Sequence, residues 1–278
     1  MIADTTIAIV GLGLMGGSLA RAVSARGARV LAYDRNADHL EDAMRDGVVH
    51  VVLGHDLSGV EEADVVVVAL PVDATCQTMP TLARRATKAM LLMDLASTKR
   101  SVVRCAESAG VGARFVGAHP LAGSHRSGFS AASASLLEGA RVFLCPTSCT
   151  SPAALRLAEQ FWRALGARTE ALGACEHDVE MAWCSHLPHI IASALAGTLD
   201  DVGLRRAALG PGGRDMTRLA GSSTAMWSAI AADNADAITT ALMAYEQKLR
   251  AFREAIAARD ANATRELLDA GREWFEAT

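Results

Sequence analysis

An imidazole flanked by glycines stands in Gly117-Ala118-His119-Pro120-Leu121-Ala122-Gly123-Ser124, directly after an apolar run that reads as a strand. A histidine titrates near neutrality and is suited to take a proton from a reacting hydroxyl. Upstream, Asp94-Leu95-Ala96-Ser97 closes another strand-like run. The Ser97 hydroxyl and the His119 ring are therefore expected at the carboxyl ends of successive strands, where open parallel sheets bind their ligands. The pair suits removal of a hydride from a carbinol carbon, a step in which the hydroxyl proton must leave as well. His119 would accept that proton, and Ser97 would align the substrate hydroxyl or the ring. Taken locally, His119 also fits a turn histidine bonded to its own loop, and Ser97, just before Thr98-Lys99, also fits a helix N-cap.

A second group of candidates lies further on. Ser185-His186-Leu187-Pro188-His189 interrupts an apolar helical stretch, and a proline there removes a backbone hydrogen bond and kinks the helix. The segment reads as a shaped wall, with His189 toward a cleft and His186 elsewhere. Arg214-Asp215-Met216-Thr217-Arg218 offers two guanidinium forks, the natural grip for a carboxylate. The plainer alternative is a surface salt bridge to Asp215. No metal site is expected from His186 and His189, because the glutamate of an HExxH pair is missing and Pro188 intervenes.

The elements that must position these groups begin with Thr6 to Val10, a short β-branched run followed by Gly11-Leu12-Gly13-Leu14-Met15-Gly16 and a helix-compatible stretch from Gly17 to Ala25. This is the strand, glycine turn and helix of a dinucleotide site. Gly11 allows the tight turn, Gly13 lets the backbone approach a pyrophosphate at the helix N-terminus, and Gly16 lets helix and strand pack closely. A second strand, Ala28 to Tyr33, ends at Asp34, where a carboxylate meets the adenosine ribose hydroxyls and repels a 2′-phosphate. NAD is expected over NADP, and the adjacent Arg35 reads as a solvated neighbour. The cofactor set is completed by Leu14 and Met15 in the turn and by Leu70-Pro71, which closes the strand Ala63 to Leu70. In that strand the Val65 to Val68 run fits a parallel strand buried on both faces.

Further strands are expected over His50 to Leu53, Ala89 to Leu95, Phe115 to Ala118, Arg141 to Cys145 and Arg168 to Leu172. Helices are expected over Ala74 to Ala86, Lys99 to Ala109 and Pro152 to Leu165. Beyond Gly173 strand-like runs vanish. There a long helix from Cys175 to Asp200, one around Met226 to Asn234 and a pair from Ala235 onward are expected, with Gly210-Pro211-Gly212-Gly213 as a break. The fold class is α/β: an N-terminal doubly wound Rossmann-type sheet in residues 1–172, followed by an all-helical substrate and dimerisation domain in 173–278. The apolar faces of the helical part point to a homodimer.

Composition agrees with an enzyme that handles a small molecule. The 278 residues are 51% hydrophobic with a net charge of −4 and no basic run, which argues against nucleic acid or an anionic membrane as partner. No apolar run is long enough to span a bilayer and no leader pattern opens the chain, so a cytoplasmic location is expected. The six cysteines include no CxxC pair and read as small core residues, without a disulfide framework or zinc.

The combination of GLGLMGGS, Asp34, DLASTK around Ser97, HPLAGS at His119, SHLPH at 185–189 and GGRDMTR ending at Arg218 resembles the prephenate and arogenate dehydrogenases of tyrosine biosynthesis. The likeness covers nearly the whole chain, and HPLAGS with SHLPH is its most specific part. It implies oxidative decarboxylation of a cyclohexadienyl acid, giving 4-hydroxyphenylpyruvate from prephenate or tyrosine from arogenate. By motif, His119 would take the proton of the ring 4-hydroxyl, Ser97 would orient that contact and Arg218 would bind a substrate carboxylate. His189, Ser124, Arg214 and Trp227 would line the pocket. His125 departs from the acidic residue that many family members carry there. Loss of that carboxylate favours the ketone of prephenate, or dual use, over the ammonium of arogenate, with Glu176 and Asp215 as alternative carboxylates.

Two other readings remain at this point. A β-hydroxyacid or imine-type reductase would share the architecture but commonly uses a lysine of the helical domain as proton shuttle, and only Lys248 is present there. A non-catalytic NAD-binding protein would not call for His119, Ser97 and Arg218 together.

Overall fold

The structure is a computed structural model that describes residues 2–123 and 128–277. Its first half builds β1 (Thr6–Val10), α1 (Leu14–Ser24), β2 (Arg29–Tyr33), α2 (Ala37–Arg45), β3 (Val51–Val52), β4 (Val65–Val68), α3 (Val72–Arg85), β5 (Leu91–Asp94), α4 (Arg100–Ser108) and β6 (Phe115–Pro120). Then come β7 (Arg141–Pro146), α5 (Pro152–Ala164) and β8 (Arg168–Ala171). The eight strands form one sheet in the order β3-β2-β1-β4-β5-β6-β7-β8, parallel throughout except where β7 runs against β6. Apolar side chains fill both faces, Ile7, Ile9 and Val67 on one and Ala8, Val10 and Val66 on the other. Burial on both sides explains why these strands read as continuous β-branched runs, without alternation.

Every element after β8 is helical: α6 (Ala174–Met181), α7 (Leu187–Asp201), α8 (Pro211–Met216), α9 (Thr224–Asp233), α10 (Ala235–Ala257) and α11 (Ala261–Glu276). Two expectations need correction, and one helix adds to them. The stretch expected as one helix from Cys175 to Asp200 is α6 and α7 joined by a widened π-turn over Ala182–His186, in which the Leu187 amide reaches back five residues to the Ala182 carbonyl. Pro188 then falls in the first turn of α7, where its missing N–H leaves no donor wanting. The expected break at Gly210 to Gly213 instead opens α8, with Gly210 as N-cap and Pro211 as its first residue. Finally, α2 had no counterpart in the sequence reading, although Asn36 caps it by accepting from the Asp38 amide.

The register delivers the candidate residues to one edge. In the β5–β6 pair Asp94 lies opposite Gly117, and in the β6–β7 pair His119 lies opposite Phe143. The bend carrying Ser97 and the strand end carrying His119 therefore leave the sheet side by side. Gly117 has a packing reason to lack a side chain: a Cβ there would sit 3.1 Å from Lys99 Cδ and 3.2 Å from the Cys145 carbonyl oxygen.

Candidate active site

At the carboxyl end of β1, Gly11 adopts φ +102°, and a Cβ would lie 2.5 Å from the Ala69 carbonyl oxygen. Gly16 packs still closer, since its Cβ would fall 1.9 Å from the Gly11 carbonyl oxygen. Gly13 differs, because nothing lies within 4 Å of where its Cβ would be. It is the N-cap of α1, with no capping side chain and no acidic residue in the first turn that Leu14 and Met15 begin. This helix start leaves its amides and its positive dipole end for an anion. Leu70 closes against Gly11, and Pro71 is the N-cap of α3 at the same edge. Asp34 is anchored at the end of β2, accepting from the Leu12 amide at 2.5 Å and the Asn36 amide at 2.8 Å. Each carboxylate oxygen keeps a further lone pair for a ribose hydroxyl. Arg35 is exposed.

His119, half-buried, borders a cleft of about 380 Å³ with Pro120, Leu121 and Gly123 on one side and Met181, Cys184 and Ser185 on the other. Its ring is not bonded to its own loop. Nδ1 lies 2.9 Å from Nε2 of His177, whose own Nδ1 lies 2.8 Å from Asp178 Oδ1. Both partners belong to α6, and both are buried. Phe143 closes against His177 edge-on at 5.2 Å. Burial, and after it the neighbouring His177, Lys99 and His186, hold His119 well below the ordinary histidine range. Burial likewise lowers His177, against the pull of Asp178. Burial pushes Asp178 upward, but hydrogen bonds from His177, Arg100 and Lys99 outweigh it and keep the group below the usual carboxylate range.

Asp178 also fills the capping role that was the alternative reading of Ser97. The amides of Lys99 and Arg100, at the start of α4, donate to its carboxylate at 2.8 and 2.9 Å. The cap of α4 thus comes from α6 and not from Ser97, which sits half-buried in the bend after β5. Lys99 is wholly buried, ion-paired to Asp94 and donating to the Ala118 carbonyl at 2.9 Å, one residue before His119. Asn234 completes the junction by donating to the Asp178 carbonyl at 2.7 Å and approaching His186 Nδ1 at 3.2 Å.

The two histidines of the π-turn region separate. His186 is buried against Asn234, and burial pushes it down to about 4. His189 lies 3.0 Å from the Ser185 carbonyl through Nδ1 and stacks on Trp227, ring centroids 3.7 Å apart. Burial lowers His189, and the charge of Arg218 adds to the shift against the bond to Ser185. The structure therefore pairs His189 with Trp227, and Arg218, exposed, lies near enough for its charge to act on His189. Arg214 is exposed and donates to the Leu209 carbonyl at 2.8 Å, which ties it to its own helix start and not to this group. Neither arginine forms an ion pair with Asp215 among the described residues. Glu176 is spent on the Gly173 amide at 3.1 Å, a cap for α6. Ser124 and His125 lie outside the described residues.

Sequence reasoning missed His177, Asp178, Asn234 and the buried Lys99. The one local signal was the adjacent His-Asp pair shortly after the last strand. A lysine base of the rival reductase type finds no candidate, since Lys248 is exposed on α10 and Lys99 is locked against Asp94.

Comparison with known proteins bears on the whole chain. Residues 19–171 match a family model described as the prephenate dehydrogenase nucleotide-binding domain, and residues 173–270 one described as the prephenate dehydrogenase dimerization domain. The chain is 36% identical over 242 residues to a prephenate dehydrogenase of Bacillus subtilis, covering 84% of this chain and 65% of that one. It is 32% identical over 268 residues to a cyclohexadienyl dehydrogenase of Zymomonas mobilis, covering 91% and 89%. Among solved structures, prephenate dehydrogenase from Aquifex aeolicus in complex with hydroxyphenyl propionate and NAD+ superposes with a TM-score of 0.90 at 28% identity, covering 99% of each chain.

Proposed function

This chain belongs to the prephenate dehydrogenase family, and from that premise we propose that it catalyses NAD-linked oxidative decarboxylation of prephenate, arogenate or both. The observation that carries the reading is the state and place of His119. It borders the cleft between the sheet and the helices, and its surroundings keep it uncharged at neutral pH, the form a general base needs.

The glycine turn, the open start of α1 and Asp34 fit a dinucleotide with a free ribose diol, which supports NAD over NADP. When bound, the nicotinamide supplies the hydride acceptor. The chain's own residues handle the proton and the charge. His119 takes the proton of the ring 4-hydroxyl as hydride leaves the carbon that bears it. The bond between the ring and its carboxylate then breaks, its electron pair restores aromaticity and carbon dioxide departs. The phenolic oxygen recovers the proton from His119, so the base ends as it began. In this reading Arg218, whose charge reaches His189, holds a substrate carboxylate and Ser97 orients the 4-hydroxyl.

A homodimer through the helical half is part of the same proposal. Trp274 is 81% and Phe275 74% exposed at the end of α11, with Leu268, Ile256 and Leu249 also exposed on α10 and α11, apolar surface of the kind that associates. We take residues 1–172 as the NAD-binding domain and 173–278 as the substrate and dimerisation domain. Among the described residues no helix is long and apolar enough to cross a membrane. The six unpaired cysteines suit a reducing compartment, and we place the enzyme in the cytoplasm.

The deciding experiment mixes purified protein with prephenate or arogenate and NAD or NADP, following the reduced nicotinamide. Turnover with NAD and at least one acid is expected. No turnover in any of the four mixtures would overturn the proposal.

A further inference from the structure

We infer that His177 and Asp178 form a positioning relay that sets the tautomer of His119, leaving Nε2 of His119 bare for the substrate hydroxyl proton. The inference rests on the reading of His119 as the base and adds two residues of α6 to its machinery.

The argument is one of donors and acceptors. A carboxylate can only accept, and Asp178, held in its ionised form by the amides of Lys99 and Arg100, faces His177 Nδ1 at 2.8 Å. His177 must therefore donate from Nδ1. A neutral imidazole has one N–H, so Nε2 of His177 carries a lone pair and can only accept. The atom 2.9 Å away is Nδ1 of His119, which must then be the protonated nitrogen of that ring. Among the described residues nothing else bonds the His119 ring. Its remaining nitrogen, Nε2, is left as the basic one.

The relay also stabilises the product of proton transfer. When Nε2 takes the substrate proton, the imidazolium keeps Nδ1–H pointed at a polarised acceptor backed by an ionised carboxylate, in a buried site where charge-assisted bonds are strong. A hydrogen-bonded carboxylate holding a catalytic imidazole in its useful tautomer is a known device, and losing the correct tautomer there costs about 10⁴-fold in turnover. Here a second ring stands between carboxylate and base. Because α6 carries both supporting residues while β6 carries His119, the base is prepared only where the helical half is docked on the sheet.

The test reads the tautomer directly, in the enzyme without substrate. Protein labelled with nitrogen-15 in its histidines is examined by two-bond proton–nitrogen correlation, with His119→Asn and His177→Gln variants assigning the signals. Protonated Nδ1 and bare Nε2 are expected on both rings. A proton on Nε2 of His119 would overturn the inference, whatever substrate the enzyme turns over, and so independently of the proposed activity. Kinetics give the second reading. His177→Leu removes the acceptor and should lower kcat about 10²- to 10³-fold with KM changed less than about threefold. His177→Gln keeps an acceptor for Nδ1–H of His119 and should recover kcat to within about tenfold of the parent. A His177→Leu enzyme with near-parental kcat would dispose of the relay.

Discussion

Replacing Lys99 by methionine is expected to destabilise the fold severely, with a deficit that depends on pH. Both partners of the Lys99–Asp94 ion pair have no exposed side-chain surface. Removing one partner of a buried pair leaves an uncompensated charge and costs about 3–5 kcal/mol. The Ala118 carbonyl also loses its donor, a further cost of about 1 kcal/mol. Methionine fills most of the vacated volume, so the net is about 4 kcal/mol, a large part of the about 5–15 kcal/mol that a typical chain has. Burial already raises Asp94, with Lys99 opposing it, so the substitution carries that carboxyl higher still. Between the unfolded carboxylate value and this raised value the folded state binds a proton that the unfolded state does not. Stability therefore falls as pH rises through that window, by up to about 1.4 kcal/mol per pH unit. Urea unfolding at fixed protein concentration, run at several pH values for parent and variant, measures the difference. The deficit should be larger at neutral than at mildly acidic pH, and Asp94→Asn placed in the same variant should recover more than half of it. A deficit below about 1 kcal/mol, or one that grows on acidification, would refute the account.

Four other expectations concern function. His119→Asn should lower kcat about 10²- to 10⁴-fold with little change in NAD affinity, and a near-parental rate would remove His119 from the mechanism. In the parent, kcat/KM should hold until the pH drops below the ordinary histidine value, because burial with His177, Lys99 and His186 depresses the His119 proton affinity. An acid limb above about 6.5 in the pH–rate profile would contradict this. Arg218→Ala should raise the substrate KM about 10- to 100-fold, the loss of a charge-assisted contact, and an unchanged KM would assign the arginine to structure. Gly16→Ala would drive a Cβ to 1.9 Å from a backbone oxygen and should weaken NAD binding at least about tenfold by titration, whereas parental affinity would show that the turn can yield.

The parts legible in the sequence are those whose physics is local. The turn at Gly11, Gly13 and Gly16 follows from close approaches within one strand–helix unit, and the Val65 to Val68 run announces a strand covered on both faces. His119 stood out because a strand end precedes it. Helix α2 escaped because only Ala43 of its nine residues is buried, too thin an apolar stripe to register. The relay escaped for a different reason. The adjacent Asp178 is the one mark that sets His177 apart from a core histidine in the sequence, and its role arises only when α6 docks on β6, 58 positions away along the chain. Lys99 reads as a surface residue until the absence of a side chain at Gly117 makes room for it.

The π-turn between α6 and α7 gives segment length a meaning of its own. One residue of an α-helix turns about 100° about the axis, so a turn closed over five residues instead of four shifts the phase of everything beyond it. His189 meets Trp227 in the phase that this extra residue sets, while Met181, before the turn, keeps its own. A single-residue deletion between Ala182 and His186 would restore the ordinary pitch and swing His189 through about 100°, with every side chain chemically unaltered. Evolution and engineering can therefore exchange residues along this stretch far more freely than they can change their number.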